Sequence, residues 1–334
     1  MKNIKKMILA LVSLCCLGAC SKNSSDGKLK VVATIFPEYD WVISILGDKA
    51  ADANITMLLD NGVDLHSYNP SVQDMAKLSD ADVFIHVGGE SDEWVEDALK
   101  TVKNKKMKVV NLLEVLGDRV KEEEIVEGME HEHHHEGEDE HHHEGEDEHH
   151  HHEHGEERDE HVWLSLKNAQ ILCAAISDAL CAADKEHADI YRANLAAYTR
   201  ELAALDAAYA KAISSASKKT LLFGDRFPFR YLVDDYGLSY YAAFAGCSAE
   251  TEASFKTIAF LSAKLDELTL PAVCKIESSD GKIAETLIKN SKTKAAKILT
   301  LDSMQSTTSK QVADGASYLN IMAENLQVLK EALQ

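Results

Sequence analysis

Most histidines of this 334-residue sequence fall in one short segment. Residues 121–160 contain 12 of the 16 histidines, and the unit H-H-H-E-G-E-D-E occurs there twice in succession. The histidines of the three main blocks are His133, His134, His135, His141, His142, His143, His149, His150, His151 and His152. Imidazoles and carboxylates at this density are ligands for divalent first-row metals. The repeats have no aliphatic residue, so we expect a disordered, metal-capturing loop over residues 121–158.

Two further histidines lie in motifs of their own. His66 belongs to D-L-H-S-Y-N-P-S at residues 64–71, after a predicted strand. His161 belongs to D-E-H-V-W-L-S-L-K-N at residues 159–168, before a predicted helix. Ligand-binding residues of α/β sheets lie at strand ends and helix starts. Both histidines are therefore candidate metal ligands, whereas His86, inside an apolar strand, is more typical of a core residue.

These two motifs resemble those of the metal-binding receptors of ABC importers, a family that includes the zinc receptor ZnuA and manganese receptors such as PsaA. The family's ligand motifs read approximately D-P-H-x-Y-x-P-S and D-x-H-x-W-L-x-P-x-N, and both histidines match in place. In zinc receptors of this kind a His-rich loop also precedes the second motif. The order of segments agrees from about residue 29 to the end, so the resemblance covers nearly the whole chain.

The resemblance also implies a third ligand, and here the sequence departs from the family pattern. The family has a strand followed by His in zinc receptors or Glu in manganese receptors, but residues 223–232 read F-G-D-R-F-P-F-R-Y-L. The equivalent position falls on Gly224 or on Arg226, depending on which aromatic residues are matched. Asp225 lies between them and is the predicted third ligand. The alternative is an aspartate paired with a nearby arginine, with water in the coordination position.

A fourth ligand is implied after the last predicted strand. Asp302, in L-T-L-D-S-M at residues 299–304, matches the aspartate that the family has there. Glu277, at the end of V-C-K-I-E, matches a carboxylate near the family's site and is the possible substitute. Together with His66 and His161, Asp225 and Asp302 give a predicted centre of two imidazoles and two carboxylates in the cleft between two lobes.

The implied function is that of an extracytoplasmic receptor, and not of an enzyme, that delivers Zn²⁺ to the permease and ATPase of an ABC importer. The His-rich loop favours zinc, whereas a centre with two carboxylates also suits Mn²⁺. A manganese or iron receptor therefore stays open, as does a surface metal buffer or adhesin without a transport role. We expect a monomer.

The N-terminal residues have the pattern of a bacterial lipoprotein signal. A charged start is followed by the apolar run Met7–Leu17, too short for a permanent membrane span, and then by L-G-A-C ending at Cys20. We predict a signal peptide over residues 1–19, a lipid on Cys20 and a polar tether over residues 20–28. These features place the protein in the cell envelope, anchored by its lipid on the outer side of the cytoplasmic membrane or its periplasmic face.

The charge of the chain is concentrated in the His-rich segment. Of the net charge of −21, residues 121–160 carry −17, with 19 Asp and Glu against 2 Lys and Arg. The rest of the chain is nearly neutral and has no basic patch, which argues against a nucleic-acid partner. The four cysteines outside the signal region form no CxxC pair. A disulfide between Cys247 and Cys274 and buried free thiols both remain open.

The segments that position these residues alternate β-rich runs with amphipathic helices, which predicts an α/β fold with parallel sheets. Strands are predicted at Leu29–Ile35, Ala53–Leu58, Asp82–Val87, Met107–Val110, Thr220–Phe223, Ser239–Phe244, Ala272–Ile276 and Lys297–Leu301. Helices are predicted among other places at Val72–Leu78, Trp94–Lys103, Phe229–Asp235, Thr251–Leu268, Lys282–Asn290 and Gln311–Leu333.

These elements divide into two βα-repeat lobes. The N-terminal lobe is predicted over residues 29–183 and the C-terminal lobe over residues 218–334. Residues 185–217 contain neither Gly nor Pro and are rich in alanine. We therefore predict one long, rigid helix over residues 184–217 that joins the lobes.

Overall fold

A computed structural model describes residues 27–129, 158–248, 252–292 and 294–334 of the chain. The predicted signal peptide, Cys20 and the tether up to residue 26 lie outside the described residues, as do the histidines of the predicted metal-capturing loop. In the part of the chain that is described, no helix combines the length and the apolar character needed to cross a membrane.

The N-terminal lobe is built on a four-stranded parallel sheet with the order β2-β1-β3-β4. Its strands are β1 Lys30–Ala33, β2 Asn54–Met57, β3 Val83–His86 and β4 Lys108–Asn111. Its helices are α1 Phe36–Leu46, α2 Val72–Ser79, α3 Trp94–Thr101, α4 Leu112–Leu116 and α5 Leu166–Ala183. The central strands β1 and β3 are almost wholly buried, as expected for a parallel sheet with covered faces.

The long helix α6, Ala188–Ser215, follows the N-terminal lobe. The C-terminal lobe repeats the parallel arrangement with the order β6-β5-β7-β8. Its strands are β5 Thr220–Arg226, β6 Ser239–Phe244, β7 Ala272–Ile276 and β8 Lys297–Leu301. Its helices are α7 Arg230–Tyr236, α8 Phe255–Glu267, α9 Lys282–Asn290, α10 Ser309–Ala313 and α11 Tyr318–Ala332. The predicted fold class, two α/β lobes with parallel sheets, is confirmed.

Helix α6 is 28 residues long and contacts both lobes. It packs on α1 and α5 of the N-terminal lobe and on α7 and α11 of the C-terminal lobe. Tyr191, Tyr198 and Tyr209 are buried along it, and the Tyr209 hydroxyl donates to the Met322 carbonyl at 2.6 Å. A continuous helix packed in both lobes restrains their relative motion.

Buried hydrogen bonds near the cleft also join the lobes. Trp163 Nε1 donates to the Ser303 carbonyl at 2.9 Å, and the Tyr318 hydroxyl donates to the Trp163 carbonyl at 2.6 Å. The Tyr318 N–H donates to Asp40 Oδ2 at 3.0 Å. Trp163 and Tyr318 are fully buried. Separating the lobes would break these hydrogen bonds and expose the apolar surface of Trp163 and Tyr318 to water, which is costly.

Two parts of the chain differ from the sequence-based expectation. The predicted continuous helix Gln311–Leu333 is wrong, because α10 and α11 are separate helices. Gly315 lies between them with φ +102, which lies outside the right-handed helical region, and Ser317 caps the second helix by accepting from the Asn320 N–H.

The second difference concerns the start of the predicted disordered loop, where residues 121–129 are ordered. Glu122 pairs with Arg158 in an antiparallel bridge. Glu124 forms an ion pair with Arg230 and accepts from the Tyr240 hydroxyl at 3.0 Å. These acidic residues are fixed by partners distant in the sequence, Arg158 for Glu122 and residues of the C-terminal lobe for Glu124, which composition alone does not reveal.

Tyr318→Phe tests the hydrogen bond that joins the lobes. The substitution leaves the Trp163 carbonyl buried without its donor, so we expect the free energy of unfolding to fall by about 1–3 kcal/mol. Urea unfolding followed by tryptophan fluorescence measures it. Tyr241→Phe, in a half-buried ring of β6, is the matched control and should change it by less than about 0.5 kcal/mol. Equal losses in the two variants would contradict the proposed role of the Tyr318 hydroxyl.

Candidate metal centre

Two histidine side chains meet in the cleft between the lobes. His66 lies in a short 3-10 turn after β2, and His161 directly precedes a second such turn before α5. Their Nε2 atoms are 3.2 Å apart. Two Zn–N bonds of about 2.0–2.1 Å at a tetrahedral angle place the nitrogens about 3.3 Å apart. The pair therefore has the spacing of two ligands of one ion.

An aspartate two residues before each histidine fixes the local turn. Asp64 Oδ1 accepts from the His66 N–H at 3.1 Å, and Asp159 Oδ1 accepts from the His161 N–H at 2.9 Å. Aspartate favours this bond to the backbone two residues further on. The D-x-H spacing in both motifs thus has a local cause, since the carboxylate closes the turn that presents the imidazole.

Both Nδ1 atoms are engaged by protein groups, which leaves the Nε2 atoms to face the cleft. Asp159 Oδ1 lies 2.9 Å from His161 Nδ1, and Ser91 Oγ lies 2.8 Å from His66 Nδ1. The buried Glu160 carboxylate accepts from the Ser91 N–H at 2.9 Å and so holds that serine in place. A carboxylate on Nδ1 fixes the ring orientation and the tautomer and makes Nε2 a better ligand.

Burial keeps the His66 imidazole neutral. It lowers the pKa of His66 far below the ordinary histidine value, and the neighbouring His161 ring acts in the same direction. The neutral imidazole is the form that binds a metal. His66 is thus ready to bind a metal at neutral pH without first losing a proton.

Asp225, the predicted third ligand, is tied to the backbone of the C-terminal sheet. Its Oδ1 accepts from the Arg226 N–H at 2.9 Å, and its Oδ2 accepts from the Ile276 N–H of β7 at 3.3 Å. In these contacts the Asp225 carboxylate binds backbone N–H groups, and not the side chain of a neighbouring arginine as the alternative expectation had it.

The Arg226 side chain reaches across the cleft. Its guanidinium forms an ion pair with Asp64 of the N-terminal lobe and donates to Gln305 Oε1 at 3.0 Å. Gln305 Nε2 in turn lies 3.5 Å from His66 Nε2. The end of β5 therefore presents a cation close to the imidazole pair, at one of the two positions where the family resemblance implied a ligand.

Asp302 and Glu277 lie together at the ends of β8 and β7. Asp302 Oδ1 accepts from the Met304 N–H at 2.8 Å, and Glu277 Oε2 accepts from the Ser303 N–H at 2.7 Å. Burial, together with the negative charge of Glu277, raises the pKa of Asp302 to about 7. A divalent cation beside this pair would favour the ionised form of Asp302.

Among the described residues, one group of three potential ligands has all its ligand atoms within 4.8 Å of one another, and it consists of His66, His161 and Cys247. The structure brings the two predicted histidines together but does not place Asp225, Asp302 or Glu277 in this group. The metal-binding role of the three carboxylates stays a prediction.

Cys247 was expected from the sequence only as a disulfide partner or a buried thiol, and not as a candidate ligand. All four cysteines in the described part of the chain are free. Cys247 follows β6, so it lies at a strand end of the C-terminal sheet, as His66 does in the N-terminal sheet. The same strand-end rule could have found it.

Comparison with known proteins supports the resemblance. The family described as "Zinc-uptake complex component A periplasmic" matches residues 31–332. Zinc-binding lipoprotein AdcA of Streptococcus pneumoniae is 34% identical over 336 residues, which cover 98% of this chain and 61% of AdcA. High-affinity zinc uptake system protein ZnuA of Bacillus subtilis is 30% identical over 97% of this chain and 94% of that protein. The chain thus spans about three-fifths of the length of its streptococcal relative.

The fold agrees with this relationship. The crystal structure of the Zn(II)-bound ZnuA-like domain of Streptococcus pneumoniae AdcA matches with a TM-score of 0.68 and 28% identity, over 92% of this chain and 99% of that domain. The family match and the relatives at 30% identity or more both extend over nearly the whole chain. The chain therefore belongs to the ZnuA family.

Proposed function

We propose that this chain is an extracytoplasmic receptor that binds Zn²⁺ tightly and delivers it to the permease of an ABC importer, which works with its ATPase. The observation that carries the proposal is the pair of imidazoles, that of His161 buried and that of His66 partly buried, whose Nε2 atoms face each other at 3.2 Å. Similarity to proteins named for zinc binding and zinc uptake supports it. The proposed role is binding and release of an ion, and it needs no catalytic residue.

In this proposal His66 and His161 bind the ion through Nε2, and carboxylates of the C-terminal lobe complete the site. Asp302 is the proposed carboxylate ligand, with Glu277 as its substitute, because both are held at adjacent strand ends and an ion would offset their mutual repulsion. Asp225 is the proposed third ligand; its Oδ2 accepts from the Ile276 N–H and keeps a further lone pair for an ion.

Release of the ion should involve small local shifts instead of a wide hinge opening. Helix α6 packs on both lobes, and buried hydrogen bonds join Trp163 to Ser303 and Tyr318 to Trp163. Loops that carry ligands can move while these bonds persist. The permease would then have to displace side chains around the ion without separating the lobes.

The His-rich segment is proposed to gather metal near the cleft. Its flanking residues are anchored close to the imidazole pair, since Glu122 pairs with Arg158, three residues before His161. A tethered set of weak sites beside a strong one raises the local metal concentration. The segment is thus an accessory to the cleft site in this proposal.

The proposed location is the outer side of the cytoplasmic membrane, or its periplasmic face, with a lipid on Cys20 as anchor and the chain as a monomer. The lipobox sequence supports the anchor, and the pneumococcal relative is itself named a lipoprotein. The competing functions, a manganese or iron receptor and a surface metal buffer or adhesin, predict different results in the titration below.

Competitive metal titration of residues 28–334 with residues 130–157 deleted tests the cleft site. We expect one tightly bound Zn²⁺ per chain, lost in His66→Ala and in His161→Ala because each removes a ligand. His187→Ala is the matched control, since His187 pairs with Asp184 away from the cleft, and it should keep the wild-type affinity.

Two outcomes would contradict the proposal. Loss of all tight binding upon deletion of residues 130–157 would make the chain a surface metal buffer. Tight Mn²⁺ or Fe²⁺ binding with weak Zn²⁺ binding would support a receptor for a different metal.

Asp159→Asn tests the carboxylate that orients His161. The amide cannot stabilise the Nδ1-protonated tautomer as a carboxylate does, so we expect zinc affinity to fall about 10–100-fold. Isothermal titration with a competing chelator measures the affinity. Asp184→Asn, which alters the equivalent contact of His187, should have no effect. Unchanged affinity in Asp159→Asn would show that the contact between Asp159 and His161 does not support metal binding.

A further inference from the structure

We propose that the thiolate of Cys247 is a ligand of the bound ion, so that His66, His161 and Cys247 form its protein core. The inference rests on the proposed zinc-receptor function and specifies the donor set of the same site. It changes the expected centre from one of two imidazoles and two carboxylates to one that contains sulfur.

The geometry of the three side chains carries the proposal. The ligand atoms of His66, His161 and Cys247 lie within 4.8 Å of one another, and no other such group occurs among the described residues. With a Zn–S bond of about 2.3 Å and Zn–N bonds of about 2.0–2.1 Å, a tetrahedral site has S···N separations of about 3.6 Å. A shift of about 1 Å, within reach of a side-chain rotation, brings the sulfur into bonding range.

The loop after β6 is built to approach His161 closely. A Cβ placed on Gly246 would lie 2.9 Å from the Phe227 carbonyl oxygen and 3.2 Å from His161 Cε1, so a side chain there would push the loop away. The next residue, Cys247, donates its N–H to Glu123 Oε1 at 2.8 Å. Glycine and glutamate together hold the cysteine against the imidazole pair.

The neighbouring strand end explains why the ligand should come from this loop. At the end of β5, the Arg226 guanidinium is held by Asp64 and Gln305 beside His66, and a guanidinium cannot bind a cation. Asp225, the residue before Arg226, does not belong to the group of clustered ligand atoms that contains Cys247. Strand β6 is the neighbour of β5 in the sheet, and the loop that follows it carries Cys247, whose sulfur can bind a metal.

The surroundings of the thiol fit a ligand that is charged only when metal is bound. Burial and the carboxylates of Glu123, Asp159 and Glu160 raise the pKa of the Cys247 thiol. Binding of Zn²⁺ displaces the thiol proton, which passes to solvent, and the ion then offsets the negative charges. The backbone N–H of Glu160 lies where it favours the thiolate.

Sulfur in the donor set has a consequence for metal choice. Thiolates suit Zn²⁺, whereas Mn²⁺ prefers oxygen ligands. Cys247 is therefore the residue that should set the preference for zinc over manganese, which two imidazoles and two carboxylates alone would leave undecided.

Cobalt substitution of the full chain tests the proposal. Co²⁺ bound to a thiolate gives an intense near-ultraviolet charge-transfer band that imidazole and carboxylate ligands do not give. We expect the band in the wild type and in the control Cys181→Ser, whose cysteine is buried between α5 and α6, and no band in Cys247→Ser. Zinc affinity should fall at least tenfold in Cys247→Ser and stay unchanged in Cys181→Ser. Altering a residue that only orients a metal ligand already lowers affinity about 10–100-fold, so the loss of a ligand should cost at least as much.

A labelling experiment on the wild type tests the same ligand without any substitution. Zn²⁺ should slow the alkylation of Cys247 by N-ethylmaleimide, as read by peptide mass spectrometry. Tight zinc binding that requires His66 but gives no protection and no charge-transfer band would overturn the sulfur ligand and leave the receptor proposal standing. Absence of tight, His66-dependent zinc binding in the wild type would overturn both.

Discussion

The Nε2 atoms of the two cleft imidazoles lie 3.2 Å apart, and their lone pairs face each other when both rings carry a single proton on Nδ1. Asp159 holds His161 in that form, and burial keeps His66 uncharged. Facing lone pairs in a buried cleft are relieved by a cation between them. With this pair of tautomers the cleft favours a positive ion before any further ligand is considered.

The rigid connection between the lobes keeps the side chains on the two sides of the cleft at fixed positions relative to one another. Helix α6 and the buried contacts of Trp163 and Tyr318 fix the C-terminal lobe relative to the imidazoles. Within that frame, the ion pair of Arg226 with Asp64 crosses the cleft next to the site. The same aspartate closes the turn of His66, so the guanidinium also supports the presentation of an imidazole. Ion binding and lobe packing are thus parts of one network.

The sequence predicted the sheets well because their strands are short apolar runs bounded by clear helical patterns. Strands β6, β7 and β8 and helix α9 have the predicted bounds. The break before α11 was missed, although Gly315 and the capping residue Ser317 are sequence signals for a helix boundary. The order of residues 121–129 was also missed, because it depends on partners such as Arg230 that are distant in the sequence.

For the candidate site, prediction succeeded where the signal is local. The D-x-H turns at His66 and His161 are visible in the sequence because the orienting aspartate lies two residues away. The C-terminal side of the cleft could not be assigned in this way. Whether Asp225, Asp302 or Cys247 reaches the imidazoles depends on how the lobes meet, and the proximity of Cys247 to two histidines far away in the sequence is a property of that interface.

The most direct test of the account is a crystal structure of the zinc-loaded protein with anomalous diffraction recorded at the zinc absorption edge. We expect one strong anomalous peak in the cleft, at about 2.0–2.1 Å from the Nε2 atoms of both His66 and His161. A fully loaded protein whose zinc peaks all lie elsewhere, with the two Nε2 atoms still facing each other and no ion between them, would contradict it.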